Sequence, residues 1–251
     1  MNNHDSHVRY ALSMRHVSVA RGTFHMDVKN LHLRPGEIAC VVGANGSGKT
    51  SLLLAAFGLL PHDGLCRIDG MYYDGTQPHI KARIGFIPDD PDMVFEELTA
   101  YEQWSVTASV LARVRSIDTT QSMERATVLA SCLSFQSPAK PIREYSHGMR
   151  RKTQIVNALL GRPSVLIVDE LRNGLDPIAI TQAEQLLRDE QARGTAILTA
   201  THDLWWAERF ADYLYVMDQG RVVAEGPCER LLEPGEHNLE TAFYRIIGMQ
   251  P

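Results

Sequence analysis

Residues 43–50 form a glycine-rich run, GANGSGKT, that fits the pattern G-x-x-x-x-G-K-[ST]. In such a loop the glycines let backbone N–H groups close around phosphate oxygens, and the following helix points its positive end at them. Lys49 would neutralise phosphate charge, and Thr50 would offer an oxygen ligand to Mg²⁺. A glycine turn that only joins a strand to a helix is the alternative, but it would not require Lys49. The predicted phosphate-contacting residues are Gly43, Ala44, Asn45, Gly46, Ser47, Gly48, Lys49, Thr50 and Ser51.

Two carboxylates follow four apolar residues at positions 165–168, a run typical of a buried strand. Asp169 and Glu170 would therefore lie at the carboxyl edge of a sheet, where α/β proteins bind their ligands. Asp169 is well placed to hold Mg²⁺ through water, and Glu170 to orient and polarise an attacking water. Glu170 is the candidate catalytic base. Its alternative is a solvated carboxylate that opens a loop.

These two motifs indicate a P-loop NTPase, and three further segments narrow the class. Residues 145–149, YSHGM, open a helical run and resemble the signature of ABC (ATP-binding cassette) proteins in their Ser-x-Gly pattern. Residues 173–176, NGLD, resemble the D-loop, and residues 201–203, THD, resemble the switch-histidine segment of that family. From residue 13 to residue 232, the chain resembles the ATP-binding subunit of an ABC transporter, of the exporter-like subset whose signature reads Tyr-Ser-x-Gly-Met.

The resemblance implies ATP and Mg²⁺ as ligands and a second cassette packed head to tail. Ser146 and the N–H of Gly148 would reach the γ-phosphate held by Lys49 of the opposite cassette. His202 would contact that phosphate and Glu170, its alternative being a capping or core histidine. Asp176 would pass information between the two sites. The catalytic set so implied is Glu170, His202, Lys49 and Asp176.

The sequence departs from the family pattern at the entry to the helical insertion. The family usually has a glutamine there that senses Mg²⁺ and the attacking water, whereas this chain has Asp89. A carboxylate accepts hydrogen bonds from metal-bound water but cannot donate one. We therefore predict a metal-binding set of Thr50, Asp169 and Asp89. In the signature, His147 and Met149 replace a glycine and a glutamine of the family, and the roles of Ser146 and Gly148 are retained.

Two other departures concern the nucleotide. Arg172 stands just after the carboxylates, where it either adds charge near the phosphates or faces solvent, and solvent is favoured. The aromatic residue that stacks on adenine in the family is replaced near the N-terminus by Arg21 and Gly22. Phe24, Tyr10 or the Arg21 cation are the substitutes considered.

The order of strands and helices predicts how these motifs are positioned. Strand-like runs at residues 24–33, 37–42, 83–87, 165–168 and 196–199 alternate with helical runs at 50–60, 100–113, 122–133, 148–160 and 177–193. Short strands at 213–217 and 221–224 and a helical stretch near 239–247 follow. We expect an α/β fold: a P-loop NTPase core with a mostly parallel sheet, an N-terminal antiparallel β-subdomain and an inserted α-helical subdomain. Residues 1–251 would be a single ABC ATPase domain, with 1–88 and 162–251 as the nucleotide-binding core and 89–161 as the helical subdomain.

Composition excludes several classes of protein. The 251 residues are 44% hydrophobic and 22% charged, values close to globular averages. The net charge of −5 argues against nucleic acid, and the run at residues 150–152, RRK, reads as a solvated face or a partner contact. The four cysteines lie far apart and are expected to be reduced thiols. The longest apolar stretch, residues 52–60, is too short for a bilayer, and residues 1–10 lack the apolar centre of a signal peptide.

These observations lead to an expected role. The resemblance implies an ATP-hydrolysing subunit, cytoplasmic and peripheral on the inner face of the cell membrane, which drives export through a separate permease by ATP-dependent cassette dimerisation. Val94, Phe95 and Leu98 would contact the permease, or else belong to the core of the helical subdomain. The alternatives are a soluble ABC ATPase acting on ribosomes or nucleic acid, which normally has tandem cassettes or charged linkers, and a regulatory cassette that does not hydrolyse ATP.

Overall fold

The computed structural model describes residues 9–136 and 139–249, so residues 1–8, most of the segment considered for a signal peptide, lie outside the described range. Ten strands of the described range form one sheet: β1 (Leu12–Arg21), β2 (Phe24–Leu33), β3 (Ile38–Val42), β4 (Asp63–Ile68), β5 (Met71–Tyr72), β6 (Ile84–Ile87), β7 (Val165–Asp169), β8 (Ala196–Thr201), β9 (Tyr213–Asp218) and β10 (Arg221–Gly226). Their order across the sheet is β5-β4-β1-β2-β10-β9-β3-β8-β7-β6.

Nine α-helices of the described range, α1 to α9, accompany this sheet. Their bounds are α1 (Lys49–Phe57), α2 (Pro78–Lys81), α3 (Ala100–Arg115), α4 (Thr119–Cys132), α5 (His147–Leu159), α6 (Pro177–Ala192), α7 (Leu204–Phe210), α8 (Cys228–Leu231) and α9 (Leu239–Ile246). Among the described residues, no helix combines the length and the apolar composition needed to span a bilayer.

The N-terminal part of the sheet is antiparallel, because β1 pairs with both β2 and β4 in that direction. Strand β2 buries Met26 and Val28 and then Leu31 and Leu33, so its buried side shifts by one residue in mid-strand. This is the slipped alternation visible in the sequence. The predicted antiparallel N-terminal sheet is confirmed.

The central part of the sheet is parallel, with β9, β3, β8, β7 and β6 as neighbours. All five residues of β3 and all five of β7 are buried. A strand that is apolar on both faces requires cover on both faces, and two hydrophobic cores on opposite sides of the sheet provide it. Strands β3, β7 and β8 thereby bring their carboxyl ends to one edge of the sheet.

Helices α3, α4 and α5 lie between β6 and β7 in the chain and pack against one another. Helix α3 starts with a capping box in which the side chains of Thr99 and Glu102 bond each other's backbone N–H. The indole N–H of Trp104 donates to the Thr153 carbonyl at 3.1 Å and ties α3 to α5. The expected helical insertion is therefore present, and its division from the core at residues 89 and 161 stays a prediction.

The predicted fold class is confirmed, while several elements were not foreseen. The sequence pattern did not single out β1, β4, β5 or the short helices α2, α7 and α8. Helix α1 ends at Phe57 instead of residue 60, because Gly58 takes a left-handed conformation and caps it. All four cysteines are free thiols, as expected.

Candidate active site

The glycine loop joins the end of β3 to the start of α1. A Cβ atom at Gly43 would lie 2.3 Å from the Met217 carbonyl oxygen, so only glycine fits there. Gly48 precedes α1 with φ of 107°, a backbone conformation that glycine adopts without strain. Among the described residues, no side chain caps the first turn of α1. Its N–H groups and positive end are therefore available to an anion, as the sequence predicted for this segment.

Lys49 is buried and bonds to its own loop. Its Nζ donates to the carbonyl of Gly43 at 2.8 Å and to that of Ala44 at 3.2 Å. Burial lowers the pKa of Lys49, and the carboxylates of Glu170 and Asp169 oppose that shift. The Ser47 hydroxyl is also buried and has no hydrogen-bond partner among the described residues. An orphaned hydroxyl, an ammonium group and a free helix start together form a donor set that fits phosphate.

Asp169 ends β7 and is buried, being only 3% exposed. Burial raises its pKa, and a hydrogen bond from the Thr50 hydroxyl works in the opposite direction. The predicted pair of Mg²⁺ ligands is thus in contact. Asp89 also faces this site and, with Glu170, raises the pKa of Asp169 further. A divalent cation would relieve the repulsion of three converging carboxylates.

Glu170 follows β7 in a left-handed backbone conformation, with φ of 50°. Its backbone N–H donates to the Ala200 carbonyl at 3.0 Å, which ties it to β8. Its Oε2 accepts from the Thr201 hydroxyl at 2.9 Å, and its Oε1 accepts from the Nδ1 of His202 at 2.8 Å. The carboxylate is thereby held in one orientation by groups at the end of β8. The predicted contact between Glu170 and His202 is present.

These residues enclose a cavity of 320 Å³ at the carboxyl edge of the sheet. Its lining consists of Phe24, Asn45, Gly46, Gly48, Lys49, Thr50, Ser51, Asp89, Asp169 and Glu170. Within residues 9–136 and 139–249, no three His, Cys, Asp or Glu side chains form a metal site by themselves. The predicted set of Thr50, Asp89 and Asp169 therefore depends on phosphate oxygens to complete the coordination of Mg²⁺. Gly43, Ala44 and His202 line an adjacent cavity of 550 Å³.

The signature residues lie elsewhere. Ser146 and Gly148 are not among the residues that line the phosphate cavity. Ser146 is exposed and caps α5, accepting from the N–H of Met149 at 3.3 Å. Asp176 is likewise an N-cap, and its carboxylate accepts from the N–H of Ala179 at 2.9 Å. Within one chain, Ser146, Gly148 and Asp176 are thus absent from the described lining of the cavity that Lys49 lines.

The three candidates for adenine contact separate clearly. Phe24 lines the phosphate cavity, next to the Gly48 position. Tyr10 stacks on His32 with ring centroids 4.5 Å apart, and it is absent from the described lining of that cavity. Arg21 is exposed at the end of β1. Arg172, which was expected to face solvent, is partly exposed and forms an ion pair with Asp203, beside the switch histidine.

Arg151 is a neighbour of the site that the sequence did not indicate, and the surface position predicted for it is wrong. The run at residues 150–152 was interpreted as a solvated face or a partner contact, but Arg151 is fully buried. Its guanidinium donates to the carbonyl of Pro88, just after β6, and to that of Asp169, the last residue of β7. Asn173, whose amide donates to the Asp89 carboxylate, was also missed as a neighbour of the site. Only the position of Arg151 on the buried side of α5 could have indicated this.

Comparison with known proteins agrees with this geometry. Residues 26–173 match the ABC transporter family. The chain is 33% identical to Nod factor export ATP-binding protein I of Cupriavidus metallidurans over 88% of its length and 73% of that protein. It is 30% identical to the ABC-type transporter ATP-binding protein EcsA of Bacillus subtilis over 80% of each chain. A solved ATP-binding subunit of an ABC transporter superposes with a TM-score of 0.84 at 26% identity, covering 94% of this chain and 99% of that one. The chain belongs to the ABC transporter family and is an ATP-binding subunit with ATPase activity.

Proposed function

We propose that this chain drives export through a separate membrane permease, from the cytoplasmic face of the membrane, by binding and hydrolysing ATP between two facing cassettes. The observation that carries the proposal is the split site. Lys49 and Glu170 line one cavity, whereas Ser146 and Gly148 start a helix outside it. A second cassette in head-to-tail arrangement would supply the missing donors.

Glu170 is suited to be the catalytic base. Its carboxylate accepts three hydrogen bonds, from Thr201 and from the N–H and Nδ1 of His202, and so has a fixed orientation. It would orient the attacking water and accept its proton while the bond from the γ-phosphorus to the ADP oxygen breaks. Lys49 and the N–H groups of α1 would hold the charge that remains on the phosphates. Mg²⁺, held by Thr50, Asp169 through water and Asp89, would neutralise part of the β- and γ-phosphate charge.

The start of α5 is suited to close over ATP from the opposite side. Ser146 and His147 are exposed at the start of the helix, where the serine hydroxyl caps the N–H of Met149, and a helix N-terminus favours anions. The Gly174 carbonyl lies 3.0 Å from where a Cβ atom of Gly148 would be, so a larger residue there would strain this surface. Asp176 caps α6 two residues after Gly174, so the D-loop lies beside the signature at this contact. Both segments would then face the partner cassette together.

A groove between the core and the helical insertion is suited to receive a permease helix. It has a volume of 380 Å³, and its apolar lining includes Phe57, Phe86, Met93, Val110, Leu111 and Val114. Val94, Phe95 and Leu98, the contacts proposed from the sequence, are not in the described lining, and Val94 packs against the hydrophobic core instead. The word export in the name of a relative, Nod factor export ATP-binding protein I, favours export as the direction of transport.

ATP turnover by the purified chain tests the proposal. We expect Lys49→Ala to weaken ATP binding, and Glu170→Gln to keep binding but lower kcat by about a hundredfold or more. Glu170→Gln should also accumulate an ATP-dependent dimer, measured by light scattering, because the closed state cannot be released by hydrolysis. Glu124→Gln, at an exposed position on α4, is the matched control. Unchanged turnover in Glu170→Gln, or an ATP-bound variant that stays monomeric, would refute the proposal.

A further inference from the structure

Arg151 is a fully buried cation on α5 that contacts two segments of the active site. Its Nη2 donates to the carbonyls of Asp169 at 2.9 Å and Glu170 at 2.5 Å, and its Nε donates to that of Leu171 at 3.4 Å. Its Nη1 donates to the carbonyl of Pro88, the residue before Asp89. One planar guanidinium thus joins the backbone that carries Glu170 to the backbone that carries Asp89.

Backbone carbonyls supply most of these bonds. The side-chain amide oxygen of Gln154 accepts one further bond from Arg151 at 3.3 Å, and among the described residues no carboxylate is bonded to the guanidinium. Burial lowers the pKa of Arg151 to about 10, so the side chain is still charged at neutral pH. Asp89, Asp169 and Glu170 attract this charge from nearby. Such a buried cation is costly unless its donors are satisfied, and the carbonyls satisfy them.

The backbone that Arg151 contacts is strained at Glu170, the proposed catalytic base. Glu170 has φ of 50°, and a residue with a Cβ atom adopts this conformation only when its surroundings enforce it. Three groups bond its backbone: the Ala200 carbonyl accepts its N–H, and its own carbonyl accepts from the N–H of Asn173 at 3.2 Å and from Arg151 at 2.5 Å. Without Arg151, the Glu170 carbonyl keeps only the bond from Asn173 in the same turn, and the peptide after Glu170 loses its link to α5 and to the Pro88 segment.

We propose that Arg151 is a positioning residue for ATP hydrolysis, which fixes the backbone of Glu170 relative to the segment that carries Asp89. The inference rests on the proposed role of Glu170 as catalytic base. Arg151 also connects the groove to the active site, because Pro88 and Gln154 both line the groove and both accept hydrogen bonds from Arg151. A helix that shifts these two residues would move Glu170 through one side chain.

The test compares Arg151→Gln and Arg151→Lys with a matched control in the full-length chain. Arg115 is the control because it also donates to two backbone carbonyls, those of Ala82 at 3.1 Å and Gly161 at 2.7 Å. Burial lowers the pKa of Arg115 as well, yet the charges that influence it are those of Arg83 and Asp69, not those of the active site. Kd for ATP, kcat and Tm are measured for each variant.

We expect Arg151→Gln to lower kcat about tenfold or more while Kd for ATP changes less than about threefold. Arg151→Lys keeps the charge but cannot form the planar set of bonds, so its kcat should lie between those of the wild type and Arg151→Gln. Arg115→Gln should lower Tm and leave kcat unchanged. If Arg151→Gln does not fold, Arg151→Lys decides, and wild-type kcat in either folded variant overturns the proposal.

A second comparison uses the Glu170→Gln background. If Arg151 acts through Glu170, Arg151→Gln should lower the residual kcat of Glu170→Gln less than about twofold. A full tenfold loss in both backgrounds would show that Arg151 acts on another step and would overturn the inference. Failure of the proposed function is recognised separately, because then Glu170→Gln itself would turn over ATP like the wild type.

Discussion

Glu170 and His202 are joined twice, because the Oε1 of Glu170 accepts both the backbone N–H of His202 at 3.1 Å and its Nδ1 at 2.8 Å. A carboxylate accepts only from a protonated nitrogen, so Nδ1 carries the proton. The bond from the backbone N–H does not need the imidazole, whereas the bond from Nδ1 is lost when the imidazole is removed. The two contributions to the orientation of Glu170 are therefore separable by mutation.

We predict that His202→Ala lowers kcat by about 10- to 100-fold and changes Kd for ATP less than about threefold. The backbone N–H still orients Glu170 in this variant, so the loss should be smaller than in Glu170→Gln. Single-turnover hydrolysis measures both. His79→Ala, at an exposed position of α2, is the control. A loss equal to that of Glu170→Gln would contradict the assignment of two separate bonds.

Phe24 is predicted to stack on the nucleotide base. Phe24→Ala should weaken ATP binding by about 1–2 kcal/mol, roughly 5- to 30-fold, because a base loses one aromatic face. Tyr10→Ala removes an aromatic ring that stacks on His32 and should leave Kd unchanged. Titration with a fluorescent ATP analogue gives both values. The reverse pattern, with Tyr10→Ala weakened and Phe24→Ala normal, would assign the base to the other ring.

Local patterns predicted the parts of the site that lie close together in the chain. The glycine loop needs a strand before it and a helix after it, and residues 37–60 encode all three within one contiguous stretch. Asp169 and Glu170 follow four apolar residues, which is enough to place them at a sheet edge. The contact of His202 with Glu170 came from the family resemblance. It is present because β7 and β8 are adjacent parallel strands that end at the same edge.

Contacts between distant segments were beyond the reach of the same patterns. Arg151 is flanked by Arg150 and Lys152, and a run of three cations normally indicates a surface. Only the approach of Pro88 and Leu171 to one face of α5 makes this position interior. The place of β10 between β2 and β9 also depends on long-range pairing. Neither follows from periodicity, because periodicity does not specify which elements meet.

We predict that the groove between the core and the helical insertion is needed to bind the permease. Val110 lines it and is 52% exposed, so Val110→Asp places a charge on the surface proposed for the permease helix. We expect this variant to lose capture of a multi-span membrane protein from detergent-solubilised membranes of the source cell. Val128→Asp, at a 61% exposed position of α4 outside the described lining, should retain it. Equal capture by both variants would place the permease elsewhere, provided both have wild-type Tm.

The left-handed backbone of Glu170 predicts an unusual order of stabilities. Glu170→Ala and Glu170→Gly both lack the carboxylate, but alanine keeps a Cβ atom at φ of 50° and glycine does not. We expect Glu170→Gly to be the more stable by about 1 kcal/mol, a Tm difference of roughly 2–4 °C in a chain of this size. In the helix α4, Glu124→Gly should instead be less stable than Glu124→Ala by about the same amount. Differential scanning calorimetry measures all four variants. If Glu170→Ala were the more stable of its pair, the backbone at Glu170 would carry no strain, and Arg151 would have nothing to hold in place.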